Sequence, residues 1–354
     1  MLAKISVRYT YASKFVSSQH FTSVMQFQVP IHIAPLTPPI DYQQKIMLIG
    51  SCFTEHIGNY LHQVKLNVLQ NPHGILFDPI AVCNSLERYI SQHEYQLSDL
   101  FQLNDAWHNW EFHTRFSHYK AEVALKGMNA SVSEAHHFLK NADWLIITLG
   151  SSFIYQLVHE QFKPVANCHK APAQTFQKHM STIEAMITAL DSTLYKLFHF
   201  NPKLKVIFTI SPVRHIRDGV VDNNRSKARL LETVHHLVQK FNRLYYFPAY
   251  ELVIDVLRDY RFYDVDMAHP NYQATQFVLS HFTQTCFTPE AQQLMNELQK
   301  IQVAYKHKPL NPYSEEHRKF LLTMLQKVQQ LQAQYPNLPL ADEAAYFATI
   351  PHLP

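Results

Sequence analysis

Residues Ile46-Met47-Leu48-Ile49 form an unbroken apolar run that stops at Gly50, the pattern of a parallel strand buried on both faces. Phe53, Ile57, Leu61 and Val64 then recur at four- and three-residue steps, which places them on one face of a helix. A strand, a sharp turn and a helix open a doubly wound sheet. Further strands are predicted at Leu66 to Leu69, Trp144 to Leu149, Val206 to Ile210 and Tyr245 to Phe247. Helical patterns cover 79–98, 131–142, 175–200 and 225–242, and one more follows His269-Pro270-Asn271, with Ala274, Phe277, Val278 and Phe282 inward. The aromatic- and His-rich stretch 100–122 reads as an inserted loop or hairpin near the site. The alternation predicts an α/β fold with a parallel sheet covered on both faces.

The pattern changes after residue 287. Thr288-Pro289-Glu290 is a helix start with a capping residue and proline in the first turn. Leu294, Leu298, Ile301 and Tyr305 follow as a helical stripe, and Ser314 starts a second helix that Pro336 and Pro339 end. Three segments are therefore expected: a disordered upstream extension over 1–25, a main domain over 26–287 and a helical extension over 288–354 that packs on the main domain or on a partner. The first segment carries Lys4, Arg8 and Lys14, with no acid before Asp41. It lacks the apolar core of a secretory signal, a transit peptide is a weaker alternative, and Met25 is the expected natural start.

Composition narrows the function. The chain has 354 residues, 47% hydrophobic and 17% charged, with formal net charge +3. That supports a sizeable core and argues against nucleic acid or an anionic membrane surface as partner. No apolar run approaches the roughly 18 residues of a membrane span. The 23 histidines are scattered, without HExxH or Cys-x-x-Cys, so metal-dependent hydrolysis lacks ligand spacing and no metal is expected. Cys52, Cys83, Cys168 and Cys286 are far apart and read as reduced thiols of a cytoplasmic protein.

In open parallel sheets, sites form at the carboxyl ends of strands. Those ends carry Ser51-Cys52, Asn71 to Gly74, Gly150-Ser151-Ser152, Ser211 to His215 and the loop before His269. Ser51 or Cys52 would be a nucleophile in the first turn of a helix, where free N–H groups favour an anion and would depress a thiol pKa. The plainer reading is an inert buried Cys52 with Ser51 as a helix cap. In Asp266-Met267-Ala268-His269, the carboxylate can accept the imidazole Nδ1 proton and leave Nε2 to act as a base. The plainer reading there is two solvated loop residues.

Several motifs together resemble the GSCFA family, a group related to the SGNH/GDSL hydrolases. They are Gly50-Ser51-Cys52-Phe53 (with Thr54 in place of the family's alanine), Asn71-Pro72-His73-Gly74, Trp107-His108-Asn109-Trp110 and Thr148-Leu149-Gly150. Asn167-Cys168-His169-Lys170, Ser211-Pro212-Val213-Arg214-His215, Asp259-Tyr260-Arg261-Phe262-Tyr263 and Asp266-Met267-Ala268-His269-Pro270 continue the set. The resemblance implies a three-layer α/β/α sandwich with a mostly parallel five-stranded sheet, SGNH/flavodoxin-like. SGNH proteins read Gly-Asp-Ser at the first block. An ungapped match puts Cys52 on the nucleophilic serine, and a one-residue shift restores Ser51. Gly74 matches the second-block glycine, whose N–H is an oxyanion donor. The third block expects glycine-x-asparagine; Gly150-Ser151-Ser152 lacks the asparagine, and the Asn167 amide would have to replace it. Arg214, His215, Lys170 and His113 would supply positive charge for an acidic or phosphorylated substrate; the plainer reading of each is structural hydrogen bonding of its loop.

The expected activity is acyl hydrolysis or acyl transfer on an O-acyl substrate, a small molecule or a glycan, through a Cys/Ser-His-Asp triad. No cofactor is needed, although coenzyme A would serve as acyl donor for a transferase. The alternative is a glycan- or ligand-binding module that keeps the fold without turnover.

Overall fold

The computed structural model describes residues 29–349, so the expectations for residues 1–25 lie outside the described residues. Five parallel strands form the central sheet: β1 (Ile46–Gly50), β2 (Val68–Gln70), β5 (Trp144–Leu149), β9 (Lys205–Ile210) and β10 (Leu244–Phe247). Their spatial order is β10-β9-β5-β1-β2, with β1 and β5 in register from Ile46↔Trp144 to Gly50↔Thr148. Every residue of β1 and β5 is buried, because both faces of the sheet are covered.

Side-chain alternation sorts the core into two clusters. On one face, Leu48, Ile146 and Ile207 meet Phe53, Ile57 and Leu61 of α1 (Cys52–Gln63) and Val278 and Phe282 of α7 (Tyr272–Cys286). On the other, Met47, Ile49, Leu145, Ile147 and Phe208 meet four helices: α2 (Pro79–Ile90), α3 (Ala121–Asn141), α4 (Ile183–Phe200) and α5 (Gly219–Lys240). This is the three-layer α/β/α sandwich expected from the sequence.

Several boundaries differ. The helix expected over 79–98 ends at Ile90, where Gln92 turns left-handed at φ +49°. The helix expected over 131–142 begins ten residues earlier, at Ala121; Ala121, Ala124 and Met128 continue its buried stripe across Gly127. The stretch 175–200 is not one helix. Phe176–Met180 is a strand, β8, and α4 starts only after Thr182, whose side chain caps the N–H of Ala185. With β6 (Phe153–Leu157) and β7 (Pro164–Val165), β8 forms a small antiparallel sheet that strand propensity alone does not reveal. The stretch 100–122 does hold a hairpin, β3 (Phe101–Leu103) with β4 (Ala106–His108). A short α6 (Ala249–Glu251) runs into a wide turn of π-helix over Leu252–Leu257.

The tail packs on the main domain. Leu294, Leu298 and Ile301 of α8 (Pro289–Tyr305) join the cluster that contains Leu48 and Phe53. Leu321 and Val328 of α9 (Glu315–Gln334) and Phe347 of α10 (Ala341–Ala348), a helix the pattern did not reveal, complete it. Glu343 fastens α10 by accepting from Lys65 at 2.7 Å and Gln302 at 2.5 Å. Among the described residues no helix is long and apolar enough to cross a membrane.

Candidate active site

The turn after β1 decides which of two adjacent side chains reaches solvent. Gly50 has φ +138°, and a Cβ there would lie 2.1 Å from the Thr148 carbonyl oxygen, so a larger residue cannot be accommodated without displacing β5. Ser51 is extended, gives its N–H to Thr148 O at 3.0 Å and buries its side chain against Gly150. Its hydroxyl has no hydrogen-bond partner among the described residues, so it does not cap α1. Cys52, the first residue of α1, is half-buried and lines an open cleft of about 670 Å³.

The thiol pKa does not fall as expected from the helix start. Burial pushes it up; Lys227 and the N–H groups of Cys52 and Phe53 pull it back only in part. Desolvation outweighs the helix terminus here.

Asp266, Ala268 and His269 line the same cleft. Asp266 Oδ1 accepts the N–H groups of Ala268 at 2.9 Å and His269 at 3.0 Å. Its Oδ2 accepts Nδ1–H of His269 at 2.5 Å, leaving Nε2 without a hydrogen bond among the described residues. These contacts, the His269 N–H first, hold the Asp266 carboxyl down at about 2. Met267, left-handed at φ +57°, makes the turn, and the loop is braced by Arg214 N–H to Ala268 O at 3.0 Å and Asp264 N–H to His269 O at 2.8 Å. No hydrogen bond joins the Cys52 thiol to His269 among the described residues.

Asn167 reaches the cleft from a loop that the hairpin insertion holds. Ala166 and Asn167 give their N–H groups to Trp110 O, and the Trp110 ring stacks on Phe101 with centroids 3.6 Å apart. His169 donates its N–H to Asn167 Oδ1 at 2.8 Å, while its ring meets Asn109 O through Nε2 at 2.8 Å and His108 through Nδ1 at 3.2 Å. Asn167 Nδ2 makes no hydrogen bond among the described residues. The motifs around Trp107 and Asn167, 60 positions apart at Asn109 and His169, thus form one brace.

Other expected donors are placed elsewhere. The Gly74 N–H is taken by Asn71 O at 2.7 Å in its own turn, and the residue does not line the cleft. The Gly150 N–H is taken by Phe77 O at 2.8 Å. Neither is free to hold an oxyanion. His113 packs its Cβ against Gly74 and accepts from Arg115 N–H, away from the cleft. Arg214 does line the cleft, its guanidinium 4.4 Å from the Tyr263 ring centroid. His215 lines it too, but burial and then Lys227 lower its pKa to about 4, so it carries no charge at neutral pH.

Three features escaped the sequence reading. Phe153, Tyr155 and Lys178 of the small antiparallel sheet wall the cleft, with Lys178 ion-paired to Asp218 and over the Phe153 ring. Asp78 also lines it, and burial raises its carboxyl pKa to about 6. Lys227, 1% exposed, gives Nζ hydrogen bonds of 2.6 Å to Gly150 O and 2.6 Å to Ser211 O. The signal was available: Lys227, Leu230, Val234 and Leu237 share one helical face, so this lysine occupies an apolar stripe. Among the described residues no group of three or more His, Cys, Asp or Glu is arranged to hold a metal ion.

No curated protein matches this chain. A carbohydrate esterase family 3 protein from Talaromyces cellulolyticus aligns in structure at TM-score 0.35 and 10% identity, over 72% of this chain and 99% of its own. A Clostridium thermocellum family 3 carbohydrate esterase aligns at 0.34 and 10%, over 71% and 97%. An acetyl xylan esterase from the rumen bacterium Butyrivibrio proteoclasticus aligns at 0.34 and 12%, over 74% and 66%. The C-terminal domain model of GSCFA domain proteins matches residues 298–349. The GSCFA family model matches residues 45–282, and the chain belongs to that family.

Proposed function

We propose that this chain is an acyl hydrolase or acyltransferase with Cys52 as nucleophile, His269 as base and Asp266 as the group that orients it. The observation that carries this reading is the convergence of Cys52 and the Asp266–His269 pair on one cleft, from opposite ends of the main domain. Cys52 is preferred to Ser51 because only the thiol reaches that cleft.

In the proposed reaction Sγ attacks an ester carbonyl while its proton passes to His269 Nε2. The tetrahedral oxyanion is held by the N–H groups at the start of α1, and by Asn167 Nδ2. Collapse restores the carbonyl and breaks the bond from the acyl carbon to the alkoxy oxygen, His269 gives the proton to the leaving alkoxide, and an acyl thioester remains on Cys52. In a hydrolase water attacks it, and in a transferase an acceptor hydroxyl does; His269 takes the attacking group's proton, the acyl C–S bond breaks, and the leaving Cys52 thiolate takes that proton back. A coenzyme A thioester would load the same thiol by exchange. The reaction requires the imidazole and the thiol to come within hydrogen-bond reach in the substrate complex. An O-acylated small molecule or glycan suits the aromatic walls Phe153 and Tyr155. The four free cysteines suit a reducing, cytoplasmic setting.

The test is hydrolysis of an activated acetyl ester together with peptide mapping after iodoacetamide and fluorophosphonate treatment. Loss of turnover in Cys52→Ala, with selective alkylation of Cys52, supports the reading. Selective fluorophosphonate labelling of Ser51 overturns the thiol. The absence of a thiol–imidazole hydrogen bond favours a second reading, a ligand-binding module; unlabelled residues and full activity loss against every activated ester would leave that one.

A further inference from the structure

Of the cations that line the cleft, Lys178 is paired with Asp218, and Arg217 stands exposed at the rim. Arg214 is half-buried, and among the described residues no carboxylate pairs with it. A guanidinium drawn out of water without a counter-ion is costly to keep. Two aromatic rings offset part of that cost: the guanidinium carbon lies 4.4 Å from the Tyr263 ring centroid and 5.0 Å from that of Tyr260. The rings attract the charge, but they do not supply the oxygen acceptors that the five N–H groups of a guanidinium are shaped to meet.

Two contacts tie this charge to the chain beside the proposed base. The Arg214 N–H bonds to Ala268 O at 3.0 Å, and Tyr263, the nearer ring, is paired with Pro270 in an isolated β-bridge. Ala268 and Pro270 are the neighbours of His269 on either side. In the proposed reaction His269 gives its proton to the leaving alkoxide, so it marks the end of the cleft where the alcohol part of the ester lies. We propose that Arg214 is a specificity-determining residue that binds a carboxylate or phosphate group on that alcohol part. The substrate class is then an acylated hydroxy acid or an acylated, phosphate-bearing alcohol. Placing the anion on the alcohol part rests on His269 as the proton donor to the leaving group; the binding of an anion by Arg214 does not.

Equilibrium binding, measured by calorimetry, tests the site without turnover. The probes are para-hydroxybenzoate, para-hydroxyphenyl phosphate and the uncharged para-hydroxybenzamide, which are also the alcohol parts of three acetyl esters. At least one anionic probe is expected to bind the wild-type protein roughly tenfold or more tightly than the amide, and that preference is lost in Arg214→Gln. Which anion binds more tightly identifies the group. The matching acetyl esters should show the same loss of preference in kcat/KM. Equal binding of all three probes by the wild-type protein, binding of none, or a preference that survives in folded Arg214→Gln overturns the proposal. If Arg214→Gln does not fold, Arg214→Lys keeps the charge but not the planar fork, and an undiminished preference there overturns it. Anion binding that Arg214→Gln abolishes, in a protein that turns over no ester, would sink the acyl-transfer reading and leave the anion site standing; turnover without any anion preference would do the reverse.

Discussion

Asp266 and His269 are joined at two points: one carboxylate oxygen takes the imidazole Nδ1 proton at 2.5 Å, and the other takes the main-chain N–H of His269 together with that of Ala268. A single side chain therefore sets both the turn and the ring. The depressed Asp266 pKa, about 2, keeps the carboxylate ionised throughout the range in which a histidine base works. Asp266→Asn preserves the shape but presents the wrong group to Nδ1. Turnover of an activated ester is expected to fall roughly 10²–10⁴-fold with the far-UV spectrum unchanged. Wild-type rates in that variant would remove Asp266 from the mechanism.

Asn167 is the candidate side-chain oxyanion donor, because the Gly74 and Gly150 N–H groups are already committed. Its oxygen is tied to the His169 N–H, so the amide nitrogen is the end available to substrate. In Asn167→Ala, kcat should drop roughly 10²–10³-fold with little change in KM, as for loss of one preorganised donor. A rise in KM alone, measured by steady-state kinetics, would make Asn167 a binding residue instead.

Gly50 carries the approach of β1 to β5. Gly50→Ala places a methyl group 2.1 Å from Thr148 O on a backbone at φ +138°. We expect at least about 2 kcal/mol of destabilisation in urea unfolding, from strain and displaced strand pairing together. A change below about 0.5 kcal/mol would show that the turn relaxes freely.

Three histidines whose pKa burial lowers predict acid sensitivity. Burial lowers the pKa of His73 to about 3, and of His169 and His215 to about 4 each. In the unfolded chain each titrates near 6.5, so the unfolded state binds more protons below that pH. Their contribution is complete above about pH 6.5 and is lost as the pH falls toward 4. Asp78, raised to about 6, and Glu251, also raised by burial, work in the opposite direction over part of that window, but burial lowers His56, His62, His113 and His281 as well, on the side of the three histidines. Melting temperature should therefore decline from pH 6.5 to 4.5, and His169→Gln should flatten the decline. A melting temperature that rises on acidification would contradict the balance.

Much of the framework was legible in the chain. Ile46 to Ile49 and Trp144 to Leu149 are apolar without interruption because each strand is covered on both sides, and that pattern needs no tertiary information. The pairing of Asp266 with His269 was legible because three residues of chain can hardly separate them. The small antiparallel sheet was not. Phe176 to Met180 continues into a helical stripe, and only the partner strand Phe153–Leu157, with Tyr155 opposite Lys178, makes it a strand.

The same division runs through the site. Local sequence determined where strands end and which polar residues stand there, since hydrophobic runs and turn chemistry act over a few residues. Tertiary structure alone decided that Cys52 and not Ser51 reaches the cleft, that Gly74 and Gly150 spend their N–H groups on neighbouring carbonyls, and that Lys227 bonds the carbonyls of Gly150 and Ser211. Those outcomes depend on which atoms of distant segments come within hydrogen-bond reach, and on how far burial removes water from a charge; neither quantity is a property of any short stretch of chain.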